Sequence, residues 1–393
     1  MAKIVPILKP GKDPTSPKSY RPISLLSALS KLFERVILNR VQDHVSTNNI
    51  LPPEQFGFRK GHSTAHQLFR VANIIKKNKS VAKSTVMGLL DVEKAFDNVW
   101  HDGLVYKLYR YNFPNYLIKI IQHYLKNREF RVSLNGLLSD NFQIPAGVPQ
   151  GSLLGPILYS IYTSDVPQFP DGCYLSLFAD DTGIMVKGRH TKAATKKLQE
   201  CLNSFQQYAS CWKIKLNAAK TQVILFPYSR SPRLTPPENC KIHMDGVPIE
   251  WSLEVVYLGL TLDRMLLFRS HIEKTKAKCN KIVRSLYPLI NRRSKLCLQN
   301  KIAIYKQIIS PVIQYAMPVW HTTAMTHRKS LQTLQNRTLK MILNVPFDTR
   351  NTIVHQLTNT KTIDEQIATV FLKFRDKALL SEHALISSLF QNN

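Results

Sequence analysis

The chain has 393 residues, and its 54 Lys and Arg against 26 Asp and Glu give a formal net charge of +28. This length suggests two or three domains, and an apolar fraction of 44% is enough to form hydrophobic cores, which argues against intrinsic disorder. No apolar run approaches the roughly 18–20 residues of a membrane span, and the N-terminus does not resemble a signal peptide. The composition therefore predicts an intracellular protein, in the nucleus or the cytoplasm, that is not associated with a membrane.

The excess of positive charge is the first indication of function. A protein this basic repels itself unless it works against a polyanion, so nucleic acid is the expected partner. A ribosomal or chromatin-type protein without catalytic activity would have the same composition. The six cysteines include no Cys-x-x-Cys pair, and they predict reduced, mostly buried thiols rather than a zinc site.

Hydrophobic periodicity predicts a mixture of helices and strands up to about residue 262. Strands are expected at 3–8, 85–92, 174–178, 184–186, 223–226 and 255–262, a hairpin at 130–144 around Asn135-Gly136, and helices at 28–45, 64–75 and 198–212. Loops are expected at 9–14, which is basic, and at Ser229 to Pro237, which holds three prolines. The stretch from Arg264 to Lys340 has helical periodicity with 16 Lys and Arg and a single acid, Glu273, which predicts a basic helical module.

Three carboxylates stand at the ends of apolar strands. Asp91 follows the run Val86 to Leu90, and Asp180-Asp181 lies at the tip of the hairpin expected around them. An acid at a strand end is usually a solvated turn residue, but acids that converge on one point can hold two divalent cations for phosphoryl transfer. All-oxygen ligands favour Mg²⁺.

The surroundings of these acids resemble the motifs of reverse transcriptases. The segments Asp91-Val92-Glu93-Lys94-Ala95-Phe96-Asp97, Gly147 to Pro156 and Phe178-Ala179-Asp180-Asp181 are similar to motifs A, B and C in order and spacing. Further similar segments are Tyr20-Arg21-Pro22-Ile23-Ser24, Gln55-Phe56-Gly57-Phe58-Arg59, Leu216-Asn217 with Lys220-Thr221, and Tyr257-Leu258-Gly259. Together they resemble the polymerase of a non-LTR (LINE-type) retrotransposon of the jockey group, over roughly residues 3 to 345.

The resemblance implies an α+β right-hand polymerase with fingers, a ferredoxin-like palm and a helical thumb. It implies fingers at 1–85, a palm with an interleaved fingers segment at 86–262, a basic helical thumb at 263–345 and a C-terminal helical extension at 346–393. The implied partners are an RNA template, a DNA primer, the RNA–DNA hybrid and deoxynucleoside triphosphates. Two Mg²⁺ ions are the implied cofactors, and Mn²⁺ is an alternative.

The same resemblance assigns roles to single residues. Asp91, Asp180 and Asp181 would be the catalytic acids, and the carbonyl of Val92 would complete one metal shell. Lys220 would protonate the departing pyrophosphate, although it also reads as one solvated lysine among many.

Substrate contacts are implied at a second set of residues. Phe96 would exclude a 2′-hydroxyl beneath the incoming sugar, or else be an ordinary core aromatic. Gln150 and Gly151 would lie against the nascent base pair, where glycine permits close backbone approach. Arg21, Lys12 and Arg59 would hold triphosphate oxygens.

Two segments that are usual in the family are not recognisable in the chain. Nothing resembles an endonuclease before the polymerase, and the chain begins at the basic loop, so a truncated copy with incomplete fingers is expected. A non-catalytic nucleic-acid-binding remnant and a group II intron maturase-like enzyme remain alternatives. The maturase would be expected to continue into a splicing module, and the remnant to have lost one of the acids.

Overall fold

The computed structural model describes residues 2–229 and 240–390. The strands are β1 Ala2–Leu8, β2 Tyr20–Leu25, β3 Ser84–Leu90, β4 Glu129–Leu134, β5 Leu137–Leu138, β6 Phe142–Gln143, β7 Cys173–Phe178, β8 Asp181–Gly188, β9 Gln222–Phe226, β10 Ile242–Met244, β11 Val247–Ile249, β12 Trp251–Ser252, β13 Glu254–Tyr257 and β14 Leu260–Asp263. The α-helices are α1 Ala28–Thr47, α2 Thr64–Ser80, α3 His101–Arg110, α4 Asn115–Leu125, α5 Gly155–Tyr162, α6 Thr191–Cys211, α7 Arg269–Ile290, α8 Leu298–Ile304, α9 Ser310–Gln314, α10 Met317–Trp320, α11 Met325–Leu343, α12 Asn351–Thr358, α13 Ile363–Leu379 and α14 Ala384–Ser387. Short 3₁₀ turns at Pro17–Ser19 and Ser388–Phe390 and a π turn at Tyr305–Ile309 complete the set. The α+β class expected from the sequence is confirmed.

The described residues form two compact units. The first holds 2–62, 86–223 and 240–250, and the second holds 63–85, 224–229 and 251–390. This division groups α2 with the helices after residue 251, whereas the sequence-based boundaries placed it in the fingers. The four domain boundaries stay a prediction.

One sheet has five strands, and four of them lie in the order β9-β3-β8-β7, with β12 next to β9. Strand β3 is buried along its whole length, which explains its unbroken apolar sequence. Strands β7 and β8 form an antiparallel hairpin with Phe178 opposite Asp181, and α6 packs against β8. The chain order β3, α5, β7, β8, α6, β9 combined with this strand order is the expected ferredoxin-like arrangement.

A second sheet in the first unit is built on β1, which pairs antiparallel with β2 and parallel with β4. Strand β4 turns back into β5 at Asn135-Gly136, where φ is +51° and +85°. Positive φ at both turn residues is what a two-residue hairpin loop requires, and Asn-Gly supplies it at little strain. The hairpin predicted from this dipeptide is confirmed.

A hydrophobic core lies beneath the segment that follows β3. Val41 of α1, Leu104 of α3, Ile121 of α4 and Leu158 of α5 are fully buried in it. Phe96 packs against the same core and is only partly buried. The segment after β3 therefore packs against a core formed by several helices.

The second unit is mostly helical beyond residue 268. Helix α7 packs against α11, and its buried face contains Ile272, Thr275 and Cys279. Lys278 and Lys281 lie on its exposed side. The basic residues of this helix are thus largely available at its surface.

The structure corrects one predicted strand. The run 255–262 is two strands, β13 and β14, paired antiparallel across a turn at Leu258-Gly259, where φ is +44° and +76°. Apolar alternation continues through both strands, so periodicity alone hid the turn between them.

The thiol prediction is only partly right about burial. Cys201, Cys240 and Cys279 are buried, whereas Cys211 and Cys297 are exposed. The loop expected from Ser229 to Pro237 lies outside the described residues except for Ser229. Within the described ranges, no helix combines the length and the apolar composition needed to span a bilayer.

Candidate active site

Asp91 is positioned by β3 and by a segment that comes more than 120 residues later. The carbonyl of Asp91 accepts from the amide of Asn217 at 2.9 Å, and the amide of Glu93 donates to the carbonyl of Lys215 at 2.8 Å. These two bonds leave the carbonyl of Val92, the predicted metal ligand, out of the pairing. They also bring Lys220 alongside, with Nζ 3.4 Å from Oδ2 of Asp91.

Asp180 and Asp181 lie at the tip of the β7–β8 hairpin, in the first unit with Asp91. Desolvation raises the pKa of Asp180, and the charge of Asp91 adds to this, whereas Arg21 opposes it. Desolvation and the charges of Asp180 and Asp91 raise the pKa of Asp181 to about 6. The structure therefore brings together the three carboxylates that the sequence placed 89 residues apart, as a single electrostatic cluster.

The cluster suits a hard divalent cation. Its donors are carboxylate oxygens, and Oδ2 of Asp91 is buried and accepts no hydrogen bond, although the ammonium of Lys220 lies 3.4 Å away. A cation would offset the charge of Asp91, which adds to the desolvation that raises the pKa values of Asp180 and Asp181. Over the described residues, no group of three or more His, Cys, Asp or Glu side chains is already gathered around one ion position. The donor types fit a divalent cation such as Mg²⁺ or Mn²⁺, since hard cations prefer oxygen ligands.

Phe96, five residues after Asp91, packs against the helical core. Its ring stacks on Tyr159, with centroids 4.9 Å apart, and meets Phe58 edge-on at 6.1 Å. The carbonyl of Phe96 accepts from the amide of Val148 at 2.7 Å. The ring is thus held in place by core contacts and remains partly exposed, which is compatible with the predicted substrate contact and with a packing role.

Gln150 and Gly151 are fixed by backbone contacts to β2. The side-chain amide of Gln150 donates to Oδ1 of Asp97 at 2.9 Å. The backbone carbonyl of Gln150 accepts from the amide of Ser24, in β2, at 2.8 Å. Gly151 has φ of +109°, and an added Cβ would lie 2.8 Å from the carbonyl oxygen of Ser24. Glycine is therefore required here both for its conformation and for the close approach of two chains.

The three predicted phosphate-binding cations are placed differently. Arg21, in β2, is close enough to Asp180 to lower its pKa. Arg59 donates to the carbonyl of Pro52 at 3.4 Å, and burial lowers its pKa. Lys12 is exposed in the turn between β1 and β2, where its amide bonds to Lys9. Only Arg21 is thus linked electrostatically to the acids among these described residues.

Gln55 is a site residue that sequence reasoning quoted in a motif without giving it a role. Its side chain is 2% exposed, and Oε1 accepts from the amide of Ala179 at 3.0 Å, directly before Asp180. Its role depends on a contact 124 residues away in the chain, for which the sequence around residue 55 gives no signal.

Comparison with known proteins adds independent findings. A family model described as reverse transcriptase (RNA-dependent DNA polymerase) matches residues 7–262. The chain is 36% identical to the probable RNA-directed DNA polymerase from transposon BS of Drosophila melanogaster, over 98% of this chain and 43% of that protein. It is 35% identical to the RNA-directed DNA polymerase from mobile element jockey of the same species, over 99% of this chain and 42% of that protein.

The chain therefore spans less than half the length of the curated relatives it matches. Among solved structures, it is similar to apo telomerase from Candida tropicalis at 13% identity, with a TM-score of 0.47 over 99% of this chain and 67% of that one. A telomerase from the same species in complex with a fragment of telomeric RNA gives 14% identity and a TM-score of 0.45, over 100% of this chain and 64% of that one.

Proposed function

This chain belongs to the reverse transcriptase (RNA-dependent DNA polymerase) family, and from that premise we propose that it copies an RNA template into DNA as the polymerase of a non-LTR mobile element. The observation that carries the proposal is the grouping of Asp91, Asp180 and Asp181: desolvation raises the pKa values of Asp180 and Asp181, and the charge of Asp91 adds to both. The substrates would be deoxynucleoside triphosphates and a DNA primer annealed to RNA. An intracellular location, in the nucleus or the cytoplasm, stays a prediction.

In the reaction, the primer 3′-oxygen forms a bond to the α-phosphorus of the incoming nucleotide. The bond from that phosphorus to the bridging oxygen breaks, and pyrophosphate leaves. Asp91, Asp180, Asp181 and the carbonyl of Val92 would hold two Mg²⁺ ions, or Mn²⁺ in their place. When bound, these ions supply positive charge that lowers the pKa of the attacking hydroxyl and stabilises the transferring phosphoryl group.

The remaining residues bind and orient the substrates. Lys220 lies 3.4 Å from Asp91 and is largely exposed, which supports a role in which its ammonium would give a proton to the departing pyrophosphate. Arg21, beside Asp180, would bind triphosphate oxygens, for which a planar guanidinium is well suited. Gln150 and Gly151, fixed against β2, would support the base pair that is being formed.

Two alternatives make different predictions. A remnant that only binds nucleic acid would not need the three acids, all of which are present. A maturase-like enzyme would share the polymerase chemistry, but the relatives that cover nearly all of this chain are named as polymerases of transposons.

Primer extension by the purified chain tests the proposal. With poly(rA) and oligo(dT) in Mg²⁺, the wild type should extend the primer. Asp91→Asn and Asp181→Asn keep side-chain volume and remove a charged ligand, so extension should fall by roughly 10²-fold or more, while hybrid binding persists. Asp102→Asn, which makes the same chemical change in the exposed first turn of α3, is the matched control. Wild-type activity in both cluster variants would refute the assignment.

A further inference from the structure

The segment 54–57 pairs with the last residues of β7, directly before the turn that carries Asp180. The amide of Phe56 donates to the carbonyl of Leu177 at 2.9 Å, and the amide of Leu177 donates to the carbonyl of Glu54 at 3.1 Å. Gln55 and Leu177 form a parallel bridge. This short stretch therefore lies against β7 as an added strand.

The side chain of Gln55 extends this pairing into the turn itself. Its Oε1 accepts two backbone hydrogen bonds, from the amide of Gly57 at 2.8 Å and from the amide of Ala179 at 3.0 Å. A Cβ at residue 57 would overlap the amide nitrogen of Ala179, so only glycine allows the two chains to come this close. One oxygen thus ties the turn to a separate part of the chain.

The turn needs this support because of its conformation. Ala179 has φ of +57°, and it is the first residue of a two-residue hairpin turn. Glycine is the usual residue at that position, since alanine in the left-handed region is disfavoured by roughly 1–2 kcal/mol. A turn with this preference would rearrange if nothing held the amide of Ala179, and Asp180 and Asp181 would move with it.

We propose that Gln55 is a positioning residue for the reaction: by accepting from the amide of Ala179, it holds the turn that aims Asp180 and Asp181 at Asp91. This inference rests on the proposed function, because it assigns Gln55 a part in the same site. The bond between Gln55 and the turn is nevertheless a property of the protein alone. It can therefore be tested without catalysis.

Amide hydrogen exchange in the metal-free protein is the first test. Gln55→Met keeps the length and volume of the side chain and removes the strong acceptor. We expect exchange in the segment 177–182 to rise by roughly tenfold, the scale of one lost buried hydrogen bond. Gln335→Met, at a fully buried glutamine of α11 that donates to the carbonyl of Lys361, should leave that segment unchanged. Unchanged exchange of 177–182 in Gln55→Met would overturn the proposal.

Steady-state kinetics provides the second test. A positioning role predicts that Gln55→Met lowers kcat by about tenfold or more, with KM for the nucleotide and affinity for the hybrid close to wild type. If the wild type does not extend a primer, the proposed function fails, and the exchange experiment still decides the role of Gln55. If the wild type is active and Gln55→Met keeps its kcat, the positioning role fails and the proposed function stands.

A double variant separates positioning from general loss of stability. Glycine at residue 179 adopts φ of +57° without strain, so the turn should keep its conformation better when the bond to Gln55 is lost. We expect the loss of kcat caused by Gln55→Met to be several-fold smaller in an Ala179→Gly background. The same loss in both backgrounds would mean that Gln55 does not act through the conformation of the turn.

Discussion

Asp181 is a residue at which the requirements of folding and of the proposed chemistry oppose each other. Its pKa is raised to about 6 by desolvation and by the charges of Asp180 and Asp91. The unfolded carboxyl loses its proton more readily, so stability falls as pH rises from about 4 to 6 and the loss is complete above that range. We expect Asp181→Asn to raise the Tm of the metal-free protein at about pH 7.5, and to raise it less at about pH 4.5.

Calorimetry in EDTA at the two pH values measures this difference. Asp102→Asn is again the control, and its Tm should differ little from wild type at either pH. A gain for Asp181→Asn that is equally large at both pH values would show that it does not come from relieved charge repulsion.

Phe96 leads to a second prediction for a single side chain. If its partly exposed edge meets the sugar of the incoming nucleotide, Phe96→Val should raise the ratio of ribonucleotide to deoxynucleotide incorporation by about tenfold or more, because the discrimination is steric. Phe142→Val, at an exposed phenylalanine of β6, should not change the ratio. The measurement compares kcat/KM for the two nucleotides. An unchanged ratio would show that Phe96 has only a packing role.

The residues that sequence reasoning found and missed differ in how local their signals are. Asp91 and Asp180-Asp181 lie at the ends of apolar strands, so the neighbouring sequence is enough to identify them as candidate site residues. The role of Gln55 depends on an amide 124 residues away, and no pattern near residue 55 encodes that proximity. Lys12 was predicted to hold triphosphate oxygens, and the structure shows its backbone amide bonded to Lys9 within the turn, so its role stays a prediction.

At the scale of single elements, α13 begins with a capping box. Thr362 at its N-cap accepts from the amide of Glu365, while the side chain of Glu365 accepts from the amide of Thr362. We expect Thr362→Ala to lower the free energy of unfolding by about 1 kcal/mol, since two backbone donors lose their arrangement. Thr326→Ala, within the first turn of α11 rather than at its N-cap, should cost less. Urea denaturation measures both, and equal losses would contradict a capping effect.

Elements were predictable from sequence where a turn residue marked the boundary. Asn135-Gly136 revealed the β4–β5 hairpin, because that dipeptide favours positive φ at both positions. Leu258-Gly259 does the same between β13 and β14 with a leucine at φ of +44°. A leucine carries no turn signal, so the run was predicted as one strand.

At the scale of the whole molecule, the net charge of +28 would act on a bound nucleic acid through the few cations that can reach a phosphate. On α7, Lys274 is paired with Glu254 at 3.3 Å, whereas Lys278 and Lys281 are exposed on the same side of the helix. Lys276 points to a different side. Within a positive helix, these lysines are therefore expected to contribute unequally to hybrid binding.

Salt-dependent binding tests this expectation. Changing Lys278 and Lys281 to Gln should reduce the slope of log affinity against log salt by roughly 1 to 2, as expected for up to two lost phosphate contacts. Lys276→Gln should have the smaller effect. Single-nucleotide addition should persist in the double variant, because the acids lie on other elements. An unchanged slope would show that other residues contact the phosphates of the hybrid. It would also weaken the prediction that residues 263–345 form a thumb.

The pairing of Asp91 with Asn217 also sets an order for biosynthesis. The ribosome makes Asp91 well before the segment 215–221 that fixes its backbone and brings Lys220 beside it. Gln55 is likewise synthesised well before Ala179, whose amide it binds. Contacts this distant in sequence form slowly. A nascent chain that stops short of residue 217 therefore contains all three acids but lacks the segment that fixes Asp91, so the backbone of Asp91 is secured only after that segment has been made.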